Sequence, residues 1–186
     1  MRRICILVLT VLLLEGCTKG DEGLENALAF RDKLLQASEC TFDAVVTADY
    51  GDEIHVFSLR ASVDPLGDLS FEVIEPEVIS GISGVVGDSA TGLTFDDKVL
   101  AFPLLAGGQL APVGAPWVLM KALRSGYISS VGKEGEHWRL TVLDSYEDDA
   151  MVVDVWFDED WCPVQGEILF KEVKILTLTL ENFQML

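Results

Sequence analysis

The chain has 186 residues, and its 31 acidic and 13 basic side chains give it a formal net charge of −18 at neutral pH. This length accommodates one domain with a well-buried core. The charge excludes a protein that binds the phosphate backbone of nucleic acids, and it argues against attachment to anionic lipids through basic residues. Contact with a membrane would therefore have to be covalent or apolar, while the acidic surface keeps an exported protein soluble.

The first sixteen residues have the layout of a secretory signal peptide. Arg2 and Arg3 form a short basic start, and an apolar run at 4–14 follows. The run is shorter than the stretch of about 20 apolar residues that a membrane-spanning helix needs. We therefore predict that residues 1–16 are removed during export.

The sequence LEGC at 14–17 resembles the processing box of bacterial lipoproteins, in which a small residue precedes a cysteine that is acylated. The resemblance implies that Cys17 carries a lipid anchor, with palmitate among its acyl chains, on the extracytoplasmic face of the cell membrane. A plain secretory signal with an incidental cysteine is the alternative. Residues 17–23 are mostly small or polar and include glycine, which predicts a flexible tether, and residues 24–186 are predicted to form a single domain.

The first half of the domain is predicted to contain one helix followed by short antiparallel strands. Residues 24–38 place apolar side chains near helical spacing, which indicates an amphipathic helix. From Thr41 the period changes to two, as expected of half-buried strands separated by turns at 49–52 and 64–68. The side chains predicted to face the core are Leu24, Ala27, Leu28, Leu34 and Leu35 of the helix, with Phe30 beside them, and Phe42, Ala44, Val46, Ala48, Tyr50, Phe57, Leu59, Ala61, Val63, Leu69, Phe71 and Val73 of the strands.

The second half is predicted to contain a short helix and the closing strands. A hairpin at 93–102 precedes a segment at 103–115 that is rich in Gly, Pro and Leu. Pro116 suits the first position of a helix and Gly126 suits the residue after its end, which predicts a helix at 117–125. Further strands are predicted at 137–144, 151–157, 164–171 and 174–183. Consecutive strands joined by short turns indicate an α+β fold, an antiparallel half-barrel (a curved meander sheet) wrapped over one long and one short helix.

The order of the parts carries a resemblance to a known superfamily. A cysteine in a lipoprotein box is followed by a long helix, a meander with the segments FEVIEPE at 71–77 and GISG at 81–84, a Pro-rich segment with a short helix, and closing strands. This order resembles the bacterial lipoprotein carrier and receptor superfamily of the LolA and LolB type, and more closely clostridial membrane lipoproteins of that fold. Such proteins hold acyl chains or other apolar groups between the curved sheet and the helices.

The resemblance implies a non-enzymatic, membrane-anchored lipoprotein that binds a lipid acyl chain or another hydrophobic ligand in the half-barrel. The alternative within the same resemblance is an envelope sensor or a protein-interaction lipoprotein whose partner is a cell-wall or spore-cortex enzyme. Both functions need the same concave apolar scaffold, so the sequence does not decide between them.

The apolar segment that leads into the second helix contains the candidate ligand-binding residues. It forms a lip followed by a helix face with Trp and Met, a combination that lines adaptable apolar cavities or faces a partner. The same residues at helical spacing also fit an ordinary hydrophobic core. The candidates are Leu104, Leu105, Leu110, Trp117, Met120 and Leu123.

Cys40 and Cys162 are the two cysteines that remain once the leader is removed and Cys17 is acylated. Outside the cytoplasm such a pair is a candidate for a disulfide. Both lie at the ends of predicted elements, and closing so long a loop would stabilise the fold by about 4 kcal/mol in the chain-entropy model. Two buried free thiols are the alternative.

The sequence contains no convincing catalytic or metal site and implies no cofactor. Ser89 follows Gly87 and Asp88 as in one esterase class, but its flanks read as strands, which indicates a β-turn instead of a nucleophile. His55 and His137 are the only histidines, and neither has the spacing of a metal ligand, so both are predicted to be exposed at strand ends. The acidic turns at 148–149 and 158–160 lack the spacing of a calcium loop and are predicted to be solvated.

Overall fold

The computed structural model describes residues 18–64, 67–87, 105–106, 110–145, 147 and 150–186. These ranges contain two α-helices, α1 (Thr18–Gln36) and α2 (Ala115–Ser125), and two short 3-10 helices at Glu77–Ile79 and Pro112–Gly114. Their strands are β1 (Cys40–Asp49), β2 (Ile54–Val63), β3 (Leu69–Glu75), β4 (Ser83–Val86), β5 (Tyr127–Glu134), β6 (His137–Leu143), β7 (Met151–Phe157), β8 (Pro163–Phe170) and β9 (Val173–Met185). The hairpin predicted at 93–102 lies outside the described residues, as do Cys17, Ser89 and Leu104.

The strands of the described ranges belong to one antiparallel sheet with the order β4-β3-β2-β1-β9-β8-β7-β6-β5. Strand β9 lies at its centre, because it pairs with β1 on one side and with β8 on the other. The other neighbours follow one another in the chain, as in a meander. The sheet is curved and does not close, so the predicted α+β half-barrel with two helices is confirmed.

One face of the sheet is dry and the other is wet, as the period-two pattern predicted. In β1 the side chains of Phe42, Ala44, Val46 and Ala48 are buried, whereas those between them are partly exposed. The same alternation occurs in β2, β3 and β6. The buried side chains of the sheet form one hydrophobic cluster with those of the helices. The inward-facing residues predicted for β1, β2 and β3 are therefore confirmed, except that Tyr50 is only partly buried.

Helix α1 begins at Thr18, before its predicted start, so residues 18–23 are helical and do not form the flexible tether expected from the sequence. Gly23 has a packing role in this first part of the helix. It is buried, and a β-carbon at this position would lie 2.8 Å from Cζ3 of Trp138 and 2.9 Å from Cγ1 of Val131. The glycine therefore lets the helix approach the sheet closely, and its presence in the sequence did not indicate mobility.

The face of α1 that packs on the sheet is also rotated relative to the prediction. Ala27, Phe30 and Leu34 face the core and are at most 5% exposed. An adjacent stripe of leucines lies at the surface, at 39–49% exposure, and consists of Leu24, Leu28 and Leu35. Both stripes have helical spacing, and the stripe with the large Phe30 ring is the one that buries more apolar area.

Helix α2 agrees with its prediction, whereas strand β5 after it was not predicted. The helix has Pro116 in its first turn and ends before Gly126. Gly126 leaves no room for a side chain, because a β-carbon would lie 2.3 Å from Cγ1 of Val142. Strand β5 could not be predicted from the sequence, because its side chains are mostly exposed and show no alternation of apolar and polar residues. In the described ranges neither helix is long and apolar enough to cross a membrane.

Candidate functional site

Aromatic side chains fill the space between α1 and the concave face of the sheet. The ring of Phe30 meets that of Phe157 edge to face, with centroids 4.9 Å apart, and lies 6.3 Å from that of Phe183. Phe183 stacks in turn on Phe42 at 5.7 Å. Leu34, one turn further along α1, is fully buried. In the described part of the chain this region is therefore packed core.

The candidate ligand-binding residues within the described ranges lie in the same core. Leu105, Leu110, Met120 and Leu123 are at most 7% exposed, and Trp117 is half-buried with the Nζ of Lys121 4.7 Å from its ring centroid. Leu119, between them, packs so closely on the sheet that a β-carbon at Gly166 would lie 2.2 Å from its Cδ1. This placement corresponds to the core alternative for the segment, and its role in ligand binding stays a prediction.

Arg31 connects α1 to the end of α2. Its Nε donates a hydrogen bond to the carbonyl oxygen of Leu123 at 2.7 Å, and its Nη2 donates to those of Gly126 at 3.0 Å and Ala122 at 3.4 Å. The last carbonyls of a helix lack helical partners and carry a partial negative charge, so a guanidinium stabilises them. Burial lowers the pKa of Arg31 from its usual value, because the charged form loses hydration. The two helices are thereby fixed relative to each other.

Beside this connection lies a surface cleft of about 420 Å³, which we call the α1–β5 groove. Its walls are the exposed side of α1, the junction of α2 and β5, and the end of β6. Tyr127, at the start of β5, is half exposed, and Leu24 and Leu28 are 41% and 49% exposed. The lining residues are Leu24, Leu28, Arg31, Ser125, Gly126, Tyr127, Ile128, Leu143, Asp144 and Ser145. The sequence pattern had assigned Leu24 and Leu28 to the core, so this apolar surface was missed.

One carboxylate lines the α1–β5 groove, and two more lie close to its leucines along α1. Glu25 and Asp32 are exposed on α1 and lie one helical turn from Leu28, and Asp144 lines the groove itself. Asp144 Oδ1 accepts a hydrogen bond from the backbone N–H of Met151 at 2.8 Å, which fixes its position. The cation that lines the groove, Arg31, is already bonded to backbone carbonyls. The groove thus combines an apolar surface with a negative border.

A second polar cluster lies on the outer face of the sheet and centres on Asp154, which is 2% exposed. Its Oδ2 is 2.7 Å from Nη2 of Arg139, and its Oδ1 accepts a hydrogen bond from Oγ1 of Thr141 at 2.6 Å. Glu134 Oε2 accepts from Trp156 Nε1 at 3.1 Å and lies 3.4 Å from Nη1 of Arg139. The hydrogen bond to Asp154 is the main cause of a raised pKa for Arg139. Asp154 and Glu134 both pair with Arg139, so the cluster links the neighbouring strands β5, β6 and β7.

The other chemistry-bearing residues are spread over the surface. His55 Nε2 lies 3.3 Å from Oε2 of Glu53, and His137 is exposed at the start of β6. Asp158 closes its own turn, because its Oδ1 accepts hydrogen bonds from the backbone N–H groups of Asp160 at 3.0 Å and Cys162 at 2.8 Å. Among the described residues no group of three His, Cys, Asp or Glu side chains has the arrangement of a metal site.

Cys40 and Cys162 are free thiols in the structure, and a disulfide between them stays a prediction. The sheet order places the two residues apart. Cys40 lies opposite Met185 of β9, whereas Cys162 immediately precedes β8 on the far side of β9. Two strand spacings amount to roughly 9–10 Å, which exceeds the Cα–Cα distance of about 7 Å that a disulfide spans. The placement corresponds to the alternative of two free thiols.

Alkylation with iodoacetamide at about pH 8 is expected to spare Cys40 in the folded protein, because the thiolate is the reactive form. Burial, together with the nearby Glu39, raises the pKa of the Cys40 thiol to about 11. Burial also raises the pKa of Cys162, with Asp158 and Asp160 contributing, so this half-buried thiol should react slowly. In urea without reductant both peptides should be labelled, as read by mass spectrometry. An unlabelled pair would instead demonstrate the disulfide.

No family model and no curated protein matches the sequence. Among solved structures, the chain is similar to a LolA superfamily protein from Nitrosomonas europaea, with 6% identity over 86% of this chain and 93% of that one and a TM-score of 0.39. It is also similar to a putative outer membrane lipoprotein-sorting protein domain from Vibrio parahaemolyticus, with 10% identity, coverage of 89% and 93%, and a TM-score of 0.42.

A third similar structure is that of the CwlD amidase from Clostridioides difficile in complex with the GerS lipoprotein. The identity is 16%, the match covers 87% of this chain and 95% of that one, and the TM-score is 0.42. The α+β half-barrel is established by the sheet order of the chain itself, independently of these similarities. In the half-barrel of this chain, α1 and α2 occupy the concave side and the α1–β5 groove lies at its edge.

Proposed function

We propose that this chain is a lipid-anchored, extracytoplasmic binding protein without enzymatic activity, and that its ligand is another protein bound at its surface. The leader at 1–16 and the box that ends in Cys17 support export and acylation. The observation that carries the proposal is the contrast between the two sides of α1. Phe30 and Leu34 are packed into the half-barrel, while Leu24, Leu28 and Leu35 remain exposed.

Three exposed leucines share one side of α1. Soluble proteins rarely expose a contiguous apolar surface, and such a surface normally marks an interaction site. A protein partner that covers them gains the free energy of removing this surface from water. The interior offers less support for a ligand, because the described members of the predicted lip are core residues. A surface function is therefore favoured over an internal one.

In-cell crosslinking followed by purification of the full chain through a C-terminal tag tests the proposal. Leu186 is 62% exposed, so a tag joined to it through a flexible linker is accessible for purification. We expect one stoichiometric protein partner in the membrane fraction. Recovery of the chain without any such partner would contradict the proposed function.

Replacing Cys17 by alanine is expected to abolish incorporation of labelled palmitate and to release the protein from the membrane pellet, because the thiol is the acyl acceptor. The half-buried Cys162 supplies the control, since Cys162→Ala should leave both labelling and sedimentation unchanged. Retention of label and membrane attachment by Cys17→Ala would instead support a plain secretory signal with another means of attachment.

Acyl-chain binding, the other function that the resemblance implies, has less support because Leu105, Leu110, Met120 and Leu123 pack with the core. Native mass spectrometry of the unacylated Cys17→Ala protein, followed by lipid extraction, addresses it directly. Without its own anchor, this variant should carry no lipid. A stoichiometric lipid on it would make an internal cavity the functional site.

A further inference from the structure

We infer that the α1–β5 groove binds a short apolar segment of the partner protein that is flanked by Lys or Arg. The inference rests on the proposed function and names the surface that the partner occupies and the chemistry of its contact. Three features of the groove determine that chemistry: the leucine stripe, the negative border and the position of β5 in the sheet.

The leucine stripe requires an apolar occupant. Leu24 and Leu28 lie one turn apart on α1, and they face Tyr127 and Ile128 across the groove. Hydrogen bonds from Arg31 hold α1 against the end of α2, which contributes the floor at Ser125 and Gly126. The walls are therefore held in place before a partner arrives, which limits the entropy lost on binding.

The negative border requires that the apolar segment carry basic neighbours. Asp144 lines the groove, Glu25 and Asp32 are exposed one helical turn from Leu28, and the lining Arg31 is bonded to backbone carbonyls. Interfaces juxtapose opposite potentials, since like charges across a contact are costly. A second copy of this chain, with a net charge of −18, would meet the border with its own acidic surface, and an anionic bilayer would be repelled in the same way.

Strand β5 supplies a third feature. It is the terminal strand of the sheet, and within the described residues its backbone pairs with β6 alone. Tyr127 and Ile128 bring the start of this strand to the groove. The outer edge of a terminal strand offers backbone N–H and C=O groups to an incoming chain. An extended segment thus fits the groove best, with alternate side chains directed to the leucines.

Paired variants of the full lipoprotein in its own membrane test whether the leucines of the groove bind an apolar segment of the partner. The double variant Leu24→Asn/Leu28→Asn should reduce the partner recovered by in-cell crosslinking by about tenfold or more, since it removes apolar contacts without adding charge. The control Val78→Asn/Val173→Asn changes side chains that are 86% and 62% exposed elsewhere on the molecule. Recovery with this control should match the wild type within about twofold.

Charge reversal tests the basic part. Glu25→Lys/Asp32→Lys should weaken recovery by about tenfold, because it places positive charge beside the basic flank of the partner. Glu72→Lys/Glu77→Lys makes the same change at exposed sites near the opposite edge of the sheet and should have little effect. Equal recovery with the groove and control variants would overturn the inference while the proposed function stands. Absence of any partner for the wild type would remove both.

A photo-crosslinking amino acid at Leu28 identifies the occupant directly. The expected adduct is a peptide of the recovered partner that contains apolar residues with Lys or Arg close by. An adduct with lipid, with a second copy of this chain or with an acidic segment would overturn the inference. The same label at Val173 should yield no adduct with that peptide, because this position lies outside the groove.

Discussion

Replacing Phe30 by alanine is expected to lower the free energy of unfolding by about 3–5 kcal/mol, the usual cost of truncating a buried aromatic side chain. Phe30 is 5% exposed, and its ring contacts that of Phe157 edge to face at 4.9 Å between centroids. The truncation leaves a cavity between α1 and the sheet that the surrounding rings fill only in part. Urea denaturation followed by tryptophan fluorescence measures the change.

The matched control for this variant is Leu28→Ala on the same helix. Leu28 is 49% exposed, so its truncation should change the unfolding free energy by about 0.5 kcal/mol or less. The two variants together distinguish the face of α1 in the structure from the face that the sequence predicted. Equal destabilisation by both would mean that α1 is rotated toward the leucine stripe, and the α1–β5 groove would not exist in its described form.

Replacing Asp154 by alanine is expected to cost roughly 2–3 kcal/mol of stability, because removal of one member of a buried polar group leaves the others without partners. Arg139 Nη2 and Thr141 Oγ1 both lose their hydrogen bonds to this carboxylate. The expected loss of stability is smaller than for a fully buried ion pair, because the Arg139 side chain is 42% exposed and regains some hydration. Urea denaturation measures this loss as well.

Removing Asp154 together with Arg139 and Thr141 should cost less than removing Asp154 alone. In the triple variant Arg139→Met/Thr141→Val/Asp154→Leu no polar partner is left unpaired, so apolar packing replaces the network. We expect the triple variant to be more stable than Asp154→Ala alone. If it is equally or less stable, the hydrogen bonds of Asp154 contribute net stability beyond satisfying one another.

The sheet could be predicted from the sequence because its strands follow one simple rule. Buried side chains recur with period two within each strand, and they include Phe42 and Val46 in β1, Leu59 in β2 and Phe71 in β3. A strand with one dry face places such side chains on the same side. The two ends of α2 were also predictable from single residues, because Pro116 lies in its first turn and Gly126 follows its last turn. These signals depend only on neighbours along the chain.

The α1–β5 groove could not be predicted, because it depends on contacts between distant residues. One candidate face of α1 contains Ala27 and Leu34, and the other contains Leu24 and Leu35. The first face is the buried one because it packs on Phe157 and Phe183, which lie in strands far along the chain. Strand β5 has no apolar alternation, so its place at the end of the sheet follows only from pairing with β6. The α1–β5 groove combines both of these features.

If Cys17 is acylated as proposed, the early start of α1 determines how far the domain stands from the bilayer. An extended tether at 17–23 would allow a separation of up to about 24 Å and free rotation. A helix over residues 18–23 instead advances only about 9 Å, and Gly23 is held against Trp138 at its end. An acylated Cys17 would therefore hold the β5–β6 hairpin close to the lipid headgroups in a fixed orientation. Any protein that reaches the leucines must then approach sideways, along the plane of the membrane.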